Sequence, residues 1–300
     1  MKGRIKMNKV KIFGDSCCDL PRELRDKYGI DYVKMNVVID GEEKPASLDW
    51  DVFSPEEFYG YMRRGIRTTT TQVPTKEYIE KFTPVLEEGD DIVYIACSGV
   101  LSGSYNTSRV VAAQLKETYP EREIHCIDAL NSCLGQGMLL LKAAELRDEG
   151  KSASEIADIV SDLRLNVNQF ATVDSLDALK RAGRVKGSKA FFGNLFGVKP
   201  IIISDVNGQN VPVKKVKGRV ASLDEIVSMM KDAITDAENQ TVYVGHADCL
   251  EDCRLLAEKV KAATGCRDTY IFDIGPIIGA SVGPSMIVLY AFGKKVEIVG

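Results

Sequence analysis

Short apolar strands alternate with helical segments through the first half of this 300-residue chain, and that alternation leaves few folds open. Lys9–Phe13 (KVKIF), Asp91–Ala96 (DIVYIA) and Glu123–Asp128 (EIHCID) read as strands. Tyr32–Asp40 (YVKMNVVID) reads as a further strand, closed by an Asp40-Gly41 turn. Between them lie helical stretches: Pro21–Gly29, a segment capped by Ser54 with Pro55 and two acids in its first turn, one capped by Thr75, then Ser104–Thr118 and Cys133–Asp148. Apolar strands with helices between them are the pattern of a parallel sheet buried on both faces, because each parallel pair needs a crossover connection. The second half departs from it. After a helix from Ser154 to about Asn168 come a strand, QFATV, and a short helix, Ser175–Ala182. VKPIIISD and NVPVKKVKG then flank Asn207-Gly208, a hairpin signal because both turn residues tolerate positive φ. Helices Ser222–Ala237 and Leu250–Ala263 alternate with the strands TVYVGHA and TYIFDI, and a Gly/Pro loop (275–284) leads to a last strand, IVLYAF. The expected class is therefore α/β, with a parallel α/β/α N-terminal domain over residues 1–165 and a mixed α+β C-terminal domain over 166–300.

Composition narrows the function. Hydrophobic residues make up 45% of the chain, enough for real cores, and a net charge of −4 gives no electrostatic footprint for nucleic acid. Ile271–Phe292 is the longest apolar stretch, but glycines and prolines break it, so no transmembrane segment is expected. The start, MKGRIKMNKV, is basic without a signal-peptide apolar core, and Met7 offers an alternative start, so a cytoplasmic protein is expected. None of the eight cysteines forms a Cys-x-x-Cys pair; reduced thiols and no metal site are the expectation.

In parallel sheets, ligands bind beyond the carboxyl ends of the strands. Here those ends are GDSCCD (14–19), CSGVLSGS (97–104) and DALNSCLGQG (128–137), and TTTTQVPT (68–75) precedes another helix. All four are rich in hydroxyl groups, small residues or both, suited to an anionic or carbonyl head group. Gly14-Asp15-Ser16 raises a rival, a serine-dependent acyl hydrolase. Ser16 would need an activating histidine, and only His125 and His246 exist, neither preceded at three residues by Asp. His125 sits within an apparent strand and reads as a core residue. No phosphate-binding loop or dinucleotide fingerprint is present. Two basic runs, KRAGRVKGSK (180–189) and KKVKGR (214–219), are open to two readings: a solvated face, or a docking patch for an acidic partner or a phosphate.

Taken in order, DSCCDL (15–20), TTQVPT (70–75), SGVLSGSYNT (98–107), the Asp128–Gly137 loop, LKRAGRV (179–185), GVKPII (197–202) and GPIIGASVGP (275–284) resemble the DegV family. The resemblance implies a long-chain fatty acid bound in a buried tunnel between the two domains, with no other cofactor. It implies a protein without its own catalytic centre, the lipid-presenting subunit of a bacterial fatty acid kinase. A separate ATP-binding subunit would phosphorylate the carboxylate to an acyl phosphate. By motif position the carboxylate contacts carry over to Thr70, Thr71 and Ser102, and kinase docking to Arg184 and Arg219. Where the family often has Ala/Thr-His-Thr-Gly-Pro-Gly, this chain reads Ala280-Ser281-Val282-Gly283-Pro284-Ser285. Ser281 thus replaces a histidine at the head group, so hydroxyl and amide donors are expected to hold the carboxylate without a cation. A stand-alone lipid sensor on the same fold is the alternative.

Overall fold

In the computed structural model, which describes residues 9–187 and 197–300, the expected alternation is present from the first strand onward. Strand β1 (Val10–Asp15) leads through helix α1 (Arg22–Tyr28) to β2 (Ile30–Val33). The apolar run that reads as one strand is in fact two. After Val33 the chain leaves the parallel sheet, because the backbone N–H groups of Lys34 and Met35 are taken by the Glu77 carboxylate (3.0 Å) and the Ser16 hydroxyl (3.0 Å). It then forms an antiparallel hairpin, β3 (Asn36–Ile39) and β4 (Glu42–Pro45). Helix α2 (Pro55–Arg63) follows, capped as expected by the Ser54 hydroxyl, which accepts from the Glu57 N–H. Thr68–Thr71 is not a loop but a strand, β5, paired antiparallel with β3.

Helix α3 (Thr75–Glu87) has Thr75 as its first residue, with Pro74 in the capping position. Then come β6 (Asp91–Ala96), α4 (Ser104–Thr118), β7 (Ile124–Asp128), α5 (Leu134–Asp148) and α6 (Ala153–Leu163). The parallel sheet runs β2-β1-β6-β7, and β6 is buried along its whole length, which explains its unbroken apolar sequence. Helices α3 and α4 pack together, as do α5 and α6, against this sheet.

The remaining elements are β8 (Val167–Thr172), α7 (Asp177–Ala182), β9 (Val198–Ser204), β10 (Asn210–Lys217), α8 (Arg219–Ala233), β11 (Thr241–His246), α9 (Leu250–Thr264), β12 (Asp268–Asp273), α10 (Pro276–Val282) and β13 (Ile287–Phe292). The strands form one mixed sheet, β10-β9-β8-β13-β11-β12, parallel only between β11 and β12. The segment expected as a Gly/Pro loop is helix α10, with Pro276 at its first position, where proline's missing N–H costs nothing.

Helix α5 sits between the two large sheets, touching β1, β2 and β6 on one side and β8 and β13 on the other. That is why it is apolar around most of its circumference, with Leu134, Met138, Leu139, Leu140, Leu141 and Leu146 all buried. One hydrophobic core therefore runs through both sheets, from Ile12 and Tyr94 to Val288 and Tyr290. A second core under α8 and α9 is built from residues 170–291 alone, Ile226, Val244 and Leu256 among them. Among the described residues, no helix is long and apolar enough to cross a membrane.

Candidate ligand-binding site

Two acids tie together the loops at the carboxyl ends of the parallel strands. Asp15 accepts from the backbone N–H of Cys17 (2.9 Å) through one oxygen. Its other oxygen accepts from the Cys97 N–H (3.0 Å) and the Tyr94 hydroxyl (3.0 Å), so the loops after β1 and β6 are locked to each other. Complete burial raises the Asp15 pKa, and the two backbone donors pull it back. Asp128 does the same one strand along. It accepts from Leu130 N–H (2.9 Å) and Gly99 N–H (3.1 Å), joining the loops after β7 and β6.

These loops, with β5, α7, α10 and the second sheet, enclose a cavity of about 190 Å³. Its apolar wall comes from Met35, Leu101, Leu179, Ile202, Ile277, Ile278 and Met286. Its polar lining includes Thr70, Ser102, Ser132, Arg184 and Ser281. A hydrogen-bonded chain also borders it: Tyr290 Oη to Gln169 (3.2 Å), Gln169 to the Asn210 side chain (3.1 Å), and Asn210 to the Arg184 carbonyl (3.1 Å). A second cavity of about 560 Å³ shares Thr70, Arg184 and Ser281 with the first, so the two meet at those three residues.

Three of the four expected head-group residues, Thr70, Ser102 and Ser281, line the inner cavity. Thr71 does not. Side chains alternate along a strand, and the Thr71 hydroxyl turns to the Glu43 carboxylate (3.0 Å). Ser102 Oγ donates to Ser104 Oγ (3.0 Å), and Ser281 Oγ reaches back one helical turn to the Ile277 carbonyl (3.5 Å). The cavity lining also holds a cation that the expected head-group set leaves out. Arg184 lines both cavities, anchored by Nε donating to the Leu101 carbonyl (2.9 Å) and by Nη1 donating to the Ala182 carbonyl.

Arg219, expected beside Arg184 in a docking patch, lines neither cavity. It starts α8 and is held by Asp252 (Nε to Oδ2, 2.8 Å), with the Cys249 thiol at 3.5 Å and one buried guanidinium nitrogen unpartnered. Of the basic runs, Lys214 pairs with Glu225 (2.8 Å) and Lys186 donates to the Gly300 carbonyl (3.0 Å); Ser188 and Lys189 lie outside the described residues.

The hydrolase reading has no geometry behind it. Ser16 is fully buried, its hydroxyl donating to the Ala46 carbonyl (2.8 Å) while accepting from Met35 N–H. His125 is not in the core; it pairs with Glu123 (3.0 Å) near the surface. His246 faces Asp273 (3.4 Å) and accepts from the Cys249 N–H, with its pKa lowered by burial. Neither histidine bonds to Ser16. The Cys17 thiol in the cavity wall is likewise no ready nucleophile: it points to the Met35 sulfur (3.4 Å), and the neighbouring Cys97 thiol and its burial push its pKa well up.

The helix at 276–282 and the strand at 68–71 were the parts of this site least visible in the sequence. The sequence signal for the first is Pro276 directly after Gly275, since proline fits the first position of a helix.

The model of the DegV family matches residues 9–294. This chain belongs to the DegV family. A DegV domain-containing protein of Clostridium perfringens is 34% identical over 291 residues, covering 97% of this chain and all of the relative. A solved DegV family protein from Thermus thermophilus, described by its fatty acid binding, superposes with a TM-score of 0.85 at 26% identity, covering 95% of this chain and 100% of that one. A stearic-acid-binding protein from Eubacterium ventriosum superposes at 0.84 with 25% identity, covering 95% and 98%. The architecture described above is that of the DegV fold.

Proposed function

We propose that this DegV protein binds a long-chain fatty acid in the inner cavity and presents its carboxylate, at Thr70, Ser102, Ser281 and Arg184, to a separate ATP-dependent kinase subunit in the cytoplasm. The observation that carries this reading is the junction: two cavities, each lined by apolar and polar side chains, meet at two hydroxyls and one guanidinium, those of Thr70, Ser281 and Arg184. The fatty acids bound by the Thermus and Eubacterium relatives support it. Arg184 and the hydroxyls supply what a buried carboxylate needs, a compensating charge and several donors. The division at 165/166 belongs to the same proposal, with α5 as the wall common to both sheets. Docking through Arg184 and Arg219 is the less direct part, since the first faces the cavities and the second is paired internally.

Affinity would come from the tail. Each buried methylene contributes about 0.8 kcal/mol, so ~15 of them contribute roughly 12 kcal/mol before association costs, against about 1.5–3 kcal/mol for each charged hydrogen bond. The protein is therefore expected to purify with fatty acid bound. Mass spectrometry of the native protein and of its denatured extract checks this. An extract free of fatty acid, with no uptake of added lipid, would sink the proposal.

Ser102→Ala separates binding from presentation. Lipid content is expected to stay within twofold of wild type, while turnover in an assay with a cognate kinase subunit falls about tenfold, the effect of one head-group hydrogen bond of about 1.4 kcal/mol. Undiminished turnover would remove Ser102 from the site.

A further inference from the structure

The inner cavity is more polar than an alkyl tail requires. Besides the head-group residues, Ser132, Gln169, Asn210 and Tyr290 line it, and none of these four lines the outer cavity. Ser132, in the loop after β7, is 7% exposed, and its hydroxyl makes no hydrogen bond among the described residues. The amide chain beside it has a fixed direction. The Arg184 carbonyl can only accept, so Asn210 meets it with Nδ2 and turns Oδ1 to Gln169. Gln169, 4% exposed, must then donate through Nε2, and its Oε1 takes the Tyr290 hydroxyl. Each amide nitrogen carries two hydrogens and spends one in this chain. Gln169 and Asn210 thus each keep a second N–H without a partner among the described residues. The Tyr290 ring packs against Gly135, at the start of α5: a Cβ on Gly135 would lie 2.9 Å from it. Ser132, three residues before Gly135, and the amide chain therefore border the same stretch of wall.

A saturated tail laid over this wall would strip water from one hydroxyl and two N–H groups and give nothing back, and buried polar groups left unpaired are costly. A carbonyl oxygen on the tail would accept from an amide N–H. A hydroxyl would do that and also donate to Ser132 Oγ, so it answers both kinds of group at once. We propose that the inner cavity takes a long-chain fatty acid bearing a hydroxyl on its tail, held by Ser132 and by the free amide N–H groups of Gln169 and Asn210. The inference rests on the reading of the inner cavity as the acyl site and narrows its substrate class. Discrimination follows from the same groups: a site that pairs with a hydroxyl disfavours the tail that lacks it, because its own donors are then unpaired.

The experiment uses the delipidated full-length chain and its Ser132→Ala variant. The probes are hexadecanoate and a series of hydroxyhexadecanoates with the hydroxyl moved along the tail, and affinities are read by displacement of a fluorescent fatty acid. The Ser132 hydroxyl holds nothing in the fold, so the variant should unfold at the wild-type temperature. At least one isomer is expected to bind the wild type as tightly as hexadecanoate or more tightly. For that isomer Ser132→Ala should lose about tenfold, the effect of one buried hydrogen bond, and for hexadecanoate less than twofold. If hexadecanoate binds and every hydroxylated isomer binds more weakly, the polar wall serves water alone and this inference falls by itself. Equal losses for the best isomer and for hexadecanoate would remove Ser132 from the tail site and overturn the assignment. Failure of hexadecanoate and all the isomers alike to bind the wild-type chain would instead sink the acyl-site reading beneath it.

Discussion

Replacing Asp19 by asparagine is expected to stabilise the protein by several kcal/mol at pH 9 and by little at pH 4. Asp19 follows β1 in a left-handed conformation (φ 47°) and is buried. One oxygen accepts from the Gly275 N–H (3.1 Å), at the start of α10; the other has no hydrogen-bond partner, with the Cys133 thiol beside the carboxyl. Burial pushes its pKa up to about 8 from an ordinary 3.8. The folded state therefore holds one more proton than the unfolded state between those values. In that window stability falls as pH rises, and above about 8 the loss is complete. At about 1.4 kcal/mol per unit over about four units, the loss is of order several kcal/mol. Asparagine keeps the acceptor toward Gly275, replaces the unpartnered oxygen by a donor and cannot titrate. Urea unfolding of both proteins at pH 4, 7 and 9 measures the difference, in which slopes from other buried acids such as Asp15 cancel. Parallel pH profiles would show that Asp19 is ionised in the fold at ordinary cost. Because α10 supplies Ile277, Ile278 and Ser281 to the inner cavity, lipid release should also quicken in the wild type, relative to the variant, as pH rises through 8.

Gly208→Ala is expected to cost roughly 2–5 kcal/mol. The Asn207-Gly208 turn does more than join β9 to β10: it docks on the loop after β7. Gly208 has φ 78°, and a Cβ there would lie 2.8 Å from the Leu130 Cα and closer still to the Ser98 hydroxyl. The neighbouring Ser204 hydroxyl donates to the Leu130 carbonyl (3.0 Å). The left-handed conformation alone costs a residue with Cβ about 1–2 kcal/mol, and forced overlap adds about 1–3 kcal/mol. Gly41→Ala is the control. Gly41 also turns a hairpin at positive φ (84°), but nothing lies within 4 Å of its added carbon, so only the conformational part should appear. Thermal and urea unfolding of the two variants decide the matter. Equal destabilisation would mean that the turn does not anchor the second sheet to the first.

The sequence by itself determined the elements whose reasons are local. Unbroken apolar runs such as Asp91–Ala96 specified buried parallel strands, Ser54-Pro55 a helix start, and Asn207-Gly208 a hairpin. The order of its small motifs was enough to point to the DegV family. It also marked the end of the parallel sheet where the cavity lies, because strand ends in such sheets collect donors. What it could not decide were the features set by partners distant in the chain. Thr68–Thr71 has β-branched side chains but no apolar alternation to mark a strand, and its pairing depends on the edge that β3 offers. Thr70 and Thr71 are neighbours with the same side chain; their opposite roles follow from which face of β5 meets the cavity. Arg184 and Arg219 look alike in their basic runs, yet one reaches the junction of two cavities and the other an acid on α9, Asp252. Helix propensity and hydrophobic period act over a few residues, so they are written in the sequence. The facing of a side chain in a cavity depends on how sheets and helices far apart in the chain stack around α5, and that was decided only when the tertiary structure formed.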